Sequence, residues 1–478
     1  MLNDALRLAF AVLVIFVAGL IVFYVIVREP QHYSRLERVA YFWPLGLTAL
    51  AMPMFLMSLA GMHLSPPAIA GLVITMGVIA RLIRGAHLRD YWRGPSAPQG
   101  SSILLTKFEW FMMVIIVACL GARALDSFLT PMYDWDGVCT WGIKAKILFF
   151  STLRGGWDYF HKAEFRCTNQ KYPLLWPLMY TWVCSVLGRW DDRAMCVINP
   201  VNLIAFITIL YHAMRRIVSR PVALAVGAVA ASLPASLHYA ECVQADIPLM
   251  LMNGAGLCCL LAWIQHRRRE SILLVGILLG GAMFTKQDGK IIFLAQICVA
   301  GASIAIGSTR GERKTLWRHL GMAALIALAY ITPWMLYERT VPVWTQYYRP
   351  LSLSTVRWQE LPAFIQMVTE NLVHWTNGVR LTKWNFLWPV TGLFLLTSRS
   401  PWRYPMNCVL GVFLLHMVGL SIVLLAFTYP FTLSAWEFAL ERFTLTMIPP
   451  IWLLLAKCVD EWWDVWKARP AIKITQTA

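Results

Sequence analysis

With 478 residues, of which 58% are hydrophobic and 14% charged, and a mean hydropathy of +0.58, the chain has too few charges to coat a soluble globule of its size. Its composition is that of an all-α polytopic membrane protein. A net charge of +17 does not point to nucleic acid, because the basic residues sit in short loops between apolar runs and form no continuous basic domain.

The first apolar run, Leu6 to Val27, is too long for a signal-peptide core and lacks a small-x-small cleavage site, so it reads as a retained helix. At about 20 residues per span, further spans fall near 39–60, 66–82, 108–125, 195–214, 221–238, 247–264, 271–285, 290–307, 317–337, 384–398, 404–428 and 443–459, about thirteen in all. The run at 66–82 is the shortest-looking of the early ones and carries Pro66, Pro67 and Gly71.

The loops set the orientation. Thirteen spans bring Arg28, Arg35 and Arg38, then Arg81 to Arg93, Arg215, Arg216 and Arg220, Arg267 to Arg269, Arg310 to Arg318, and Arg399 and Arg403 to one side. By the positive-inside rule that side is the cytoplasm, with the tail 460–478 there too. The opposite side then receives every other polar segment.

The first of these, 126–193, opens on Tyr133-Asp134-Trp135-Asp136, two carboxylates one aromatic apart. The plainer alternative is that both are solvated loop acids. Behind them Val138 to Phe150 reads as a helix at the membrane interface, with Lys144 and Lys146 reaching toward headgroups or phosphate. Tyr172 to Leu187 is apolar, but as a full span it would put the following arginines on the wrong side, so a half-inserted or surface helix is expected. Cys139 and Cys167 flank this region within reach of a disulfide; the other cysteines lie mostly in apolar runs as packing residues.

The second segment carries Glu241 and then Asp246-Ile247-Pro248, where Asp246 opens a helix and could serve only as its cap. The third is Thr285-Lys286-Gln287-Asp288, which leaves Lys286 at the hydrocarbon edge, either snorkelling to headgroups or partnered. The last, 338–383, holds an amphipathic pattern at Leu361, Phe364, Ile365, Val368, Leu372 and Trp375. Tyr347, Tyr348, Arg349, Arg357 and Trp358 precede it. No P-loop, Rossmann glycine pattern, HExxH or His cluster is present, which argues against nucleotide hydrolysis and zinc chemistry.

Taken in order, these segments resemble the integral-membrane glycosyltransferases of the C superfamily (GT-C), which include protein O-mannosyltransferases and the lipid A aminoarabinose transferase. The matching order is the acidic loop at 133–136, Tyr172-Pro173-Leu174-Leu175, a helix ending in Arg215-Arg216, Asp246-Ile247-Pro248, Gly280 through Thr285-Lys286, and Arg442-Phe443 with Pro449-Pro450. It spans roughly residues 108–459. The family's histidine-proline before the Tyr-Pro element is replaced by Asn169-Gln170-Lys171, so no role for that histidine carries over. The resemblance implies additional N-terminal helices over 1–103, a GT-C-like catalytic module over 104–459 with outside loops at 126–193 and 338–383, and a cytoplasmic tail.

It also implies a polyprenyl-phosphate sugar as donor, a lipid, glycan or protein as acceptor, and a bacterial inner membrane with the site facing the periplasm. An acceptor hydroxyl attacking the anomeric carbon needs a base, whereas the departing lipid phosphate needs cations more than an acid. Asp134 or Asp136 is the expected base; Glu241 and Asp246 position the acceptor or a divalent metal; Lys144, Lys146, Lys286 and Arg442 hold the donor phosphate. Some relatives use a divalent metal and others do not, so Mg or Mn at Asp136 and Asp246 stays open. A single base predicts inversion at the anomeric carbon.

Two other classes remain. A transporter or flippase of lipid-linked sugar predicts mid-membrane charges and an internal repeat. An O-antigen polymerase or ligase would concentrate its cations in the late loop, where Arg349, Arg357, His374 and Arg380 lie.

Overall fold

Apolar runs become helices at every one of the thirteen predicted positions, and differ from expectation mainly in length. The computed structural model describes residues 2–85, 104–342, 354, 356–373, 376–377, 380–381, 384, 386–426 and 433–468, without the side chains of residues 241, 371–373, 376–377, 380–381, 433–441, 466 and 468. In chain order the helices are α1 (Leu2–Ile26), α2 (Arg35–Leu59), α3 (Pro66–Arg84), α4 (Lys107–Leu129), α5 (Ile143–Phe150), α6 (Trp157–His161), α7 (Leu175–Leu187), α8 (Asn199–Met214) and α9 (Arg220–Ser232). There follow α10 (Pro234–Glu241), α11 (Asp246–His266), α12 (Arg269–Thr285), α13 (Gly289–Gly307), α14 (Arg310–Glu338), α15 (Leu361–Val373), α16 (Leu387–Thr397), α17 (Met406–Ala426) and α18 (Leu433–Ala468). One two-residue antiparallel pair, Thr376–Asn377 with Arg380–Leu381, interrupts the otherwise helical fold.

Ten of these helices are long and apolar enough to cross a membrane, eleven if α9 and α10 count as one span bent by 56°. That bend falls at Leu233, held extended (φ −61°, ψ 121°) by Pro234, since the proline ring disfavours helical backbone before it. The other two predicted spans are the shorter helices α12, of 17 residues, and α16, of 11, whereas α8 reaches 21 residues with the turn Ala194–Ile198 before it.

Helix α11 is the centre of the bundle, buried over 94% of its apolar window, as expected of a helix apolar on every face. Around it pack α8, α12, α13 and α18. Pro450 in α18 has no N–H, which frees the carbonyl of Thr446; the Asn253 side chain of α11 donates to that oxygen at 2.7 Å, and Gln296 of α13 donates to the Asn253 amide oxygen at 2.8 Å.

The N-terminal helices serve the element that the sequence placed least well. α7 is neither a surface helix nor lipid-facing: twelve of its thirteen residues are buried, packed against α1, α2 and α5. Trp182 of α7 donates to the Ala11 carbonyl of α1 at 3.0 Å. Its length still stops short of a full span. α1 and α2 themselves cross at Gly19 and Gly46, where an added Cβ would stand 1.7 Å from the Phe42 oxygen and 1.9 Å from the Ile15 oxygen.

The cation clusters are pinned by acids at their own end of the bundle. Arg216 pairs with Glu37 at 2.6 Å and Arg220 with Glu109 at 2.5 Å, Asp460 accepts from Ser219, and Glu461 accepts from the Ser400 N–H at 2.9 Å. Since α11 runs from Asp246 to His266 and α12 returns from Arg269 to Thr285, Asp246 and Lys286 sit together at the opposite end.

At that end α15 lies across α16 and α18. Phe364 and Met367 are its buried residues, clustered with Val356, Leu424 and Leu425, whereas Ile365, expected on the apolar stripe, is 55% exposed. Tyr347, Tyr348, Arg349, His374 and Trp375 lie outside the described residues, as do the side chains of Leu372 and Arg380. Cys139 and Cys167 are both free thiols, so the disulfide that their positions allowed is not formed.

Candidate active site

The paired carboxylates of the first loop divide their work. Asp134 turns into the protein: its Oδ2 accepts from the Gly137 N–H at 2.7 Å and from Gln244 Nε2 at 2.9 Å, and its Oδ1 from the Val243 N–H at 3.0 Å. Gly137 is required for this fit, since a Cβ there would meet the carboxylate at 2.5 Å. Three N–H groups on one carboxylate make Asp134 the tie between the first loop and the turn that leads into α11. Trp135 then projects outward, 73% exposed, and Asp136 turns back inward.

Asp136 meets Arg442 of α18, whose Nη1 donates to its Oδ2. The same guanidinium reaches Asp246, Nη2 at 2.8 Å and Nε at 3.1 Å from Oδ2. The other Asp246 oxygen accepts from Lys286 Nζ at 2.8 Å, and Lys286 also pairs with Asp288 at 3.1 Å and lies 4.8 Å from the Phe443 ring centre. Four separate pieces of chain therefore converge: the first loop, the start of α11, the end of α12 with its following turn, and α18. Asp246 is fully buried, and Lys286 and Arg442 nearly so, while the Asp136 side chain keeps 21% of its surface. Charges buried this deeply persist only when paired, and these are.

The alternatives weighed for Asp246 and Lys286 fall away. Asp246 is not a simple helix cap: Ala245 holds the cap position without a side-chain bond, and both Asp246 oxygens are committed to cations. Lys286 does not snorkel; it points into the protein. Lys144 departs from expectation in the same way, being fully buried rather than directed at headgroups. Its Nζ donates to the Asn169 carbonyl at 2.7 Å and lies 5.5 Å from the rings of Trp141 and Tyr172. Asn169 offers that carbonyl from a left-handed conformation (φ 52°). Burial pushes the Lys144 ammonium down to about 7, with nearby Asp136 pulling the other way.

Lys146, two residues on, is exposed and makes no hydrogen bond or ion pair among the described residues; the fold does not bring it to the cluster. Glu241 closes α10, and its side chain lies outside those described. In the late loop Arg357 pairs with Glu360 at 3.0 Å. Two contributors were not singled out by sequence: Asp288, whose signal was its place two residues after Lys286, and Gln244, whose amide holds Asp134. A third is Glu338 at the end of α14, which accepts from Gln287 at 2.8 Å and pairs with Lys290 at 3.5 Å.

The donor set does not fit the divalent metal that the sequence left open at Asp136 and Asp246. A hard cation such as Mg needs carboxylate oxygens free to approach within about 2.0–2.1 Å, but the Arg442 guanidinium stands between the two. Among the described residues no group of three or more His, Cys, Asp and Glu side chains converges on one point.

What the cluster does is hold one carboxylate, Asp136, in a fixed direction at its exposed rim, backed by the buried cations Arg442 and Lys286. Residues 171–337 match the family model of dolichyl-phosphate-mannose-protein mannosyltransferases. No curated protein and no solved structure matches the chain. The matched stretch holds α7 through α14, with Asp246, Lys286 and Asp288. It supports a glycosyltransferase of the GT-C type, so the resemblance drawn from the sequence stands.

Proposed function

We propose that the protein is an inverting glycosyltransferase that moves a sugar from a polyprenyl phosphate to an acceptor hydroxyl at the periplasmic face of a bacterial inner membrane, in cell-envelope glycan, lipid A or protein modification. The observation that carries this reading is the chain of contacts Asp136, Arg442, Asp246, Lys286, set at one end of the bundle and overlapping the mannosyltransferase match. Asp136 is the base. It takes the proton from the acceptor hydroxyl as that oxygen bonds to the anomeric carbon, and the carbon's bond to phosphate breaks with its electrons leaving on the lipid phosphate. Lys286, with three N–H groups to donate, receives the growing phosphate charge. Arg442 fixes the direction of Asp136, and Asp134 fixes the loop that carries it. Attack opposite the leaving phosphate inverts the anomeric centre.

The same class of donor would suit a flippase. Against that reading, the ionisable groups of this cluster lie in the first loop and at the ends of the apolar spans instead of mid-membrane, where a transport path places them. The test is purified protein in liposomes with a labelled polyprenyl-phosphate sugar and envelope acceptors. Label appearing on the acceptor with inverted configuration is the expected result; lipid moved between leaflets without transfer would replace the transferase with a transporter, and retained configuration would remove the single-base mechanism.

A further inference from the structure

The expectation left open by the sequence was a divalent cation between Asp136 and Asp246, and the structure puts a side chain of the protein in that position. We propose that Arg442 is the fixed internal cation of this site and that the protein neither binds nor needs a divalent metal there. The activity arm of the inference rests on the transferase reading; the binding arm does not.

A carboxylate offers about four lone-pair directions. Asp246 spends three of them, one on Lys286 and two on Arg442, and the oxygens are buried in protein. Asp136 reaches the same guanidinium from the other side. A metal bridging the two acids would have to expel Arg442, and a buried guanidinium, which stays charged at any pH the protein meets, would lose both of its carboxylates, a costly loss for a buried charge. Lys286 blocks the other approach, since it occupies the second Asp246 oxygen and holds Asp288 as well. The carboxylate count therefore reads as a metal site in sequence but is answered in space by one arginine from α18, more than three hundred positions along the chain from Asp136.

A guanidinium in place of a metal changes what the site offers. It supplies positive charge and orientation in a plane, as a fork with fixed N–H directions, and it cannot act as a Lewis acid on the donor. Leaving-group stabilisation then falls to N–H donors alone, a load suited to a phosphate that is already a good leaving group.

The test titrates the purified full-length protein in detergent with Mn2+ and follows free Mn2+ by electron paramagnetic resonance, alongside transfer assays after chelation. The wild type is expected to bind no stoichiometric Mn2+, and its transfer rate to stay within about twofold after EDTA treatment and after added Mg2+ or Mn2+. Arg442→Ala exposes both acids to each other and is expected to gain Mn2+ affinity of about tenfold or more over the wild type. One Mn2+ per wild-type chain, lost in Asp246→Asn, would overturn the inference, as would transfer abolished by EDTA and restored by metal. A folded Arg442→Ala that gains no Mn2+ affinity would contradict the arrangement of the two acids across the guanidinium. If no transfer occurs in any condition, the transferase reading fails, and Mn2+ binding by the wild type alone still decides this proposal.

Discussion

Asp246 and Lys144 show how the same burial gives opposite demands on a charge. Asp246 is compensated by two cations, so Asp246→Ala removes the carboxylate that Arg442 and Lys286 share, leaving Arg442 on Asp136 and Lys286 on Asp288, and should cost about 3 kcal/mol, read as a fall in melting temperature in detergent; an unchanged melting temperature would contradict the ion-pair geometry. Lys144 has one carbonyl and two ring faces instead of an acid. Its ammonium is held down at about 7 from an ordinary 10.5, so between those values the unfolded chain binds the proton that the folded chain has lost. Stability from this group therefore rises with pH through that window, and the cost of burying the charge is full below pH 7. Lys144→Met should accordingly stabilise the protein most at about pH 6, on the order of 3 kcal/mol, and hardly at all near pH 10. An equal effect at both pH values would mean that Lys144 is charged throughout.

Elements were legible where composition alone decides them. The thirteen apolar runs were readable because an apolar stretch of that length has no other stable state in a membrane. α7 was left between a half-inserted and a surface helix because an apolar pattern says that a helix is covered, not whether lipid or protein covers it; the packing of α1 and α2 removes the surface alternative. Lys144 was misdirected for a related reason, since α5 follows a π-helical turn at Gly137–Gly142, and the rotational phase of a short helix after such a turn cannot be counted from residue spacing. The order Asp136, Asp246, Lys286, Arg442 was visible, but the fact that Arg442 spans two carboxylates depends on how four segments meet. The crossing of α1 and α2 gives a direct test at this scale. Gly46→Ala forces a Cβ into the Ile15 carbonyl and should cost about 1–3 kcal/mol, whereas Gly71→Ala in α3, with nothing within 4 Å, should be neutral or stabilising. Equal effects of the two substitutions would contradict the close crossing. Likewise Asn253→Leu orphans the Thr446 carbonyl freed by Pro450 and should cost about 1–3 kcal/mol in thermal unfolding.

Across the whole molecule the charges sort to two ends, one rich in arginines tied to acids and one carrying the site. If the positive-inside rule holds for this chain, the exposed Cys167 reacts with a membrane-impermeant maleimide added outside spheroplasts, and a cysteine introduced as Arg310→Cys does not. The reverse pattern would place the site in the cytoplasm and remove the periplasmic reading. The central claim concerns Asp136, and the most direct measurement is the rate of sugar transfer from a labelled polyprenyl phosphate by wild type, Asp136→Asn and Asp134→Asn, each checked for a native melting temperature and for donor binding. The account predicts that Asp136→Asn binds the donor but transfers about a hundredfold or more slowly, as for loss of a general base, while Asp134→Asn loses chiefly stability and keeps part of its transfer. Full transfer by a folded Asp136→Asn would contradict it.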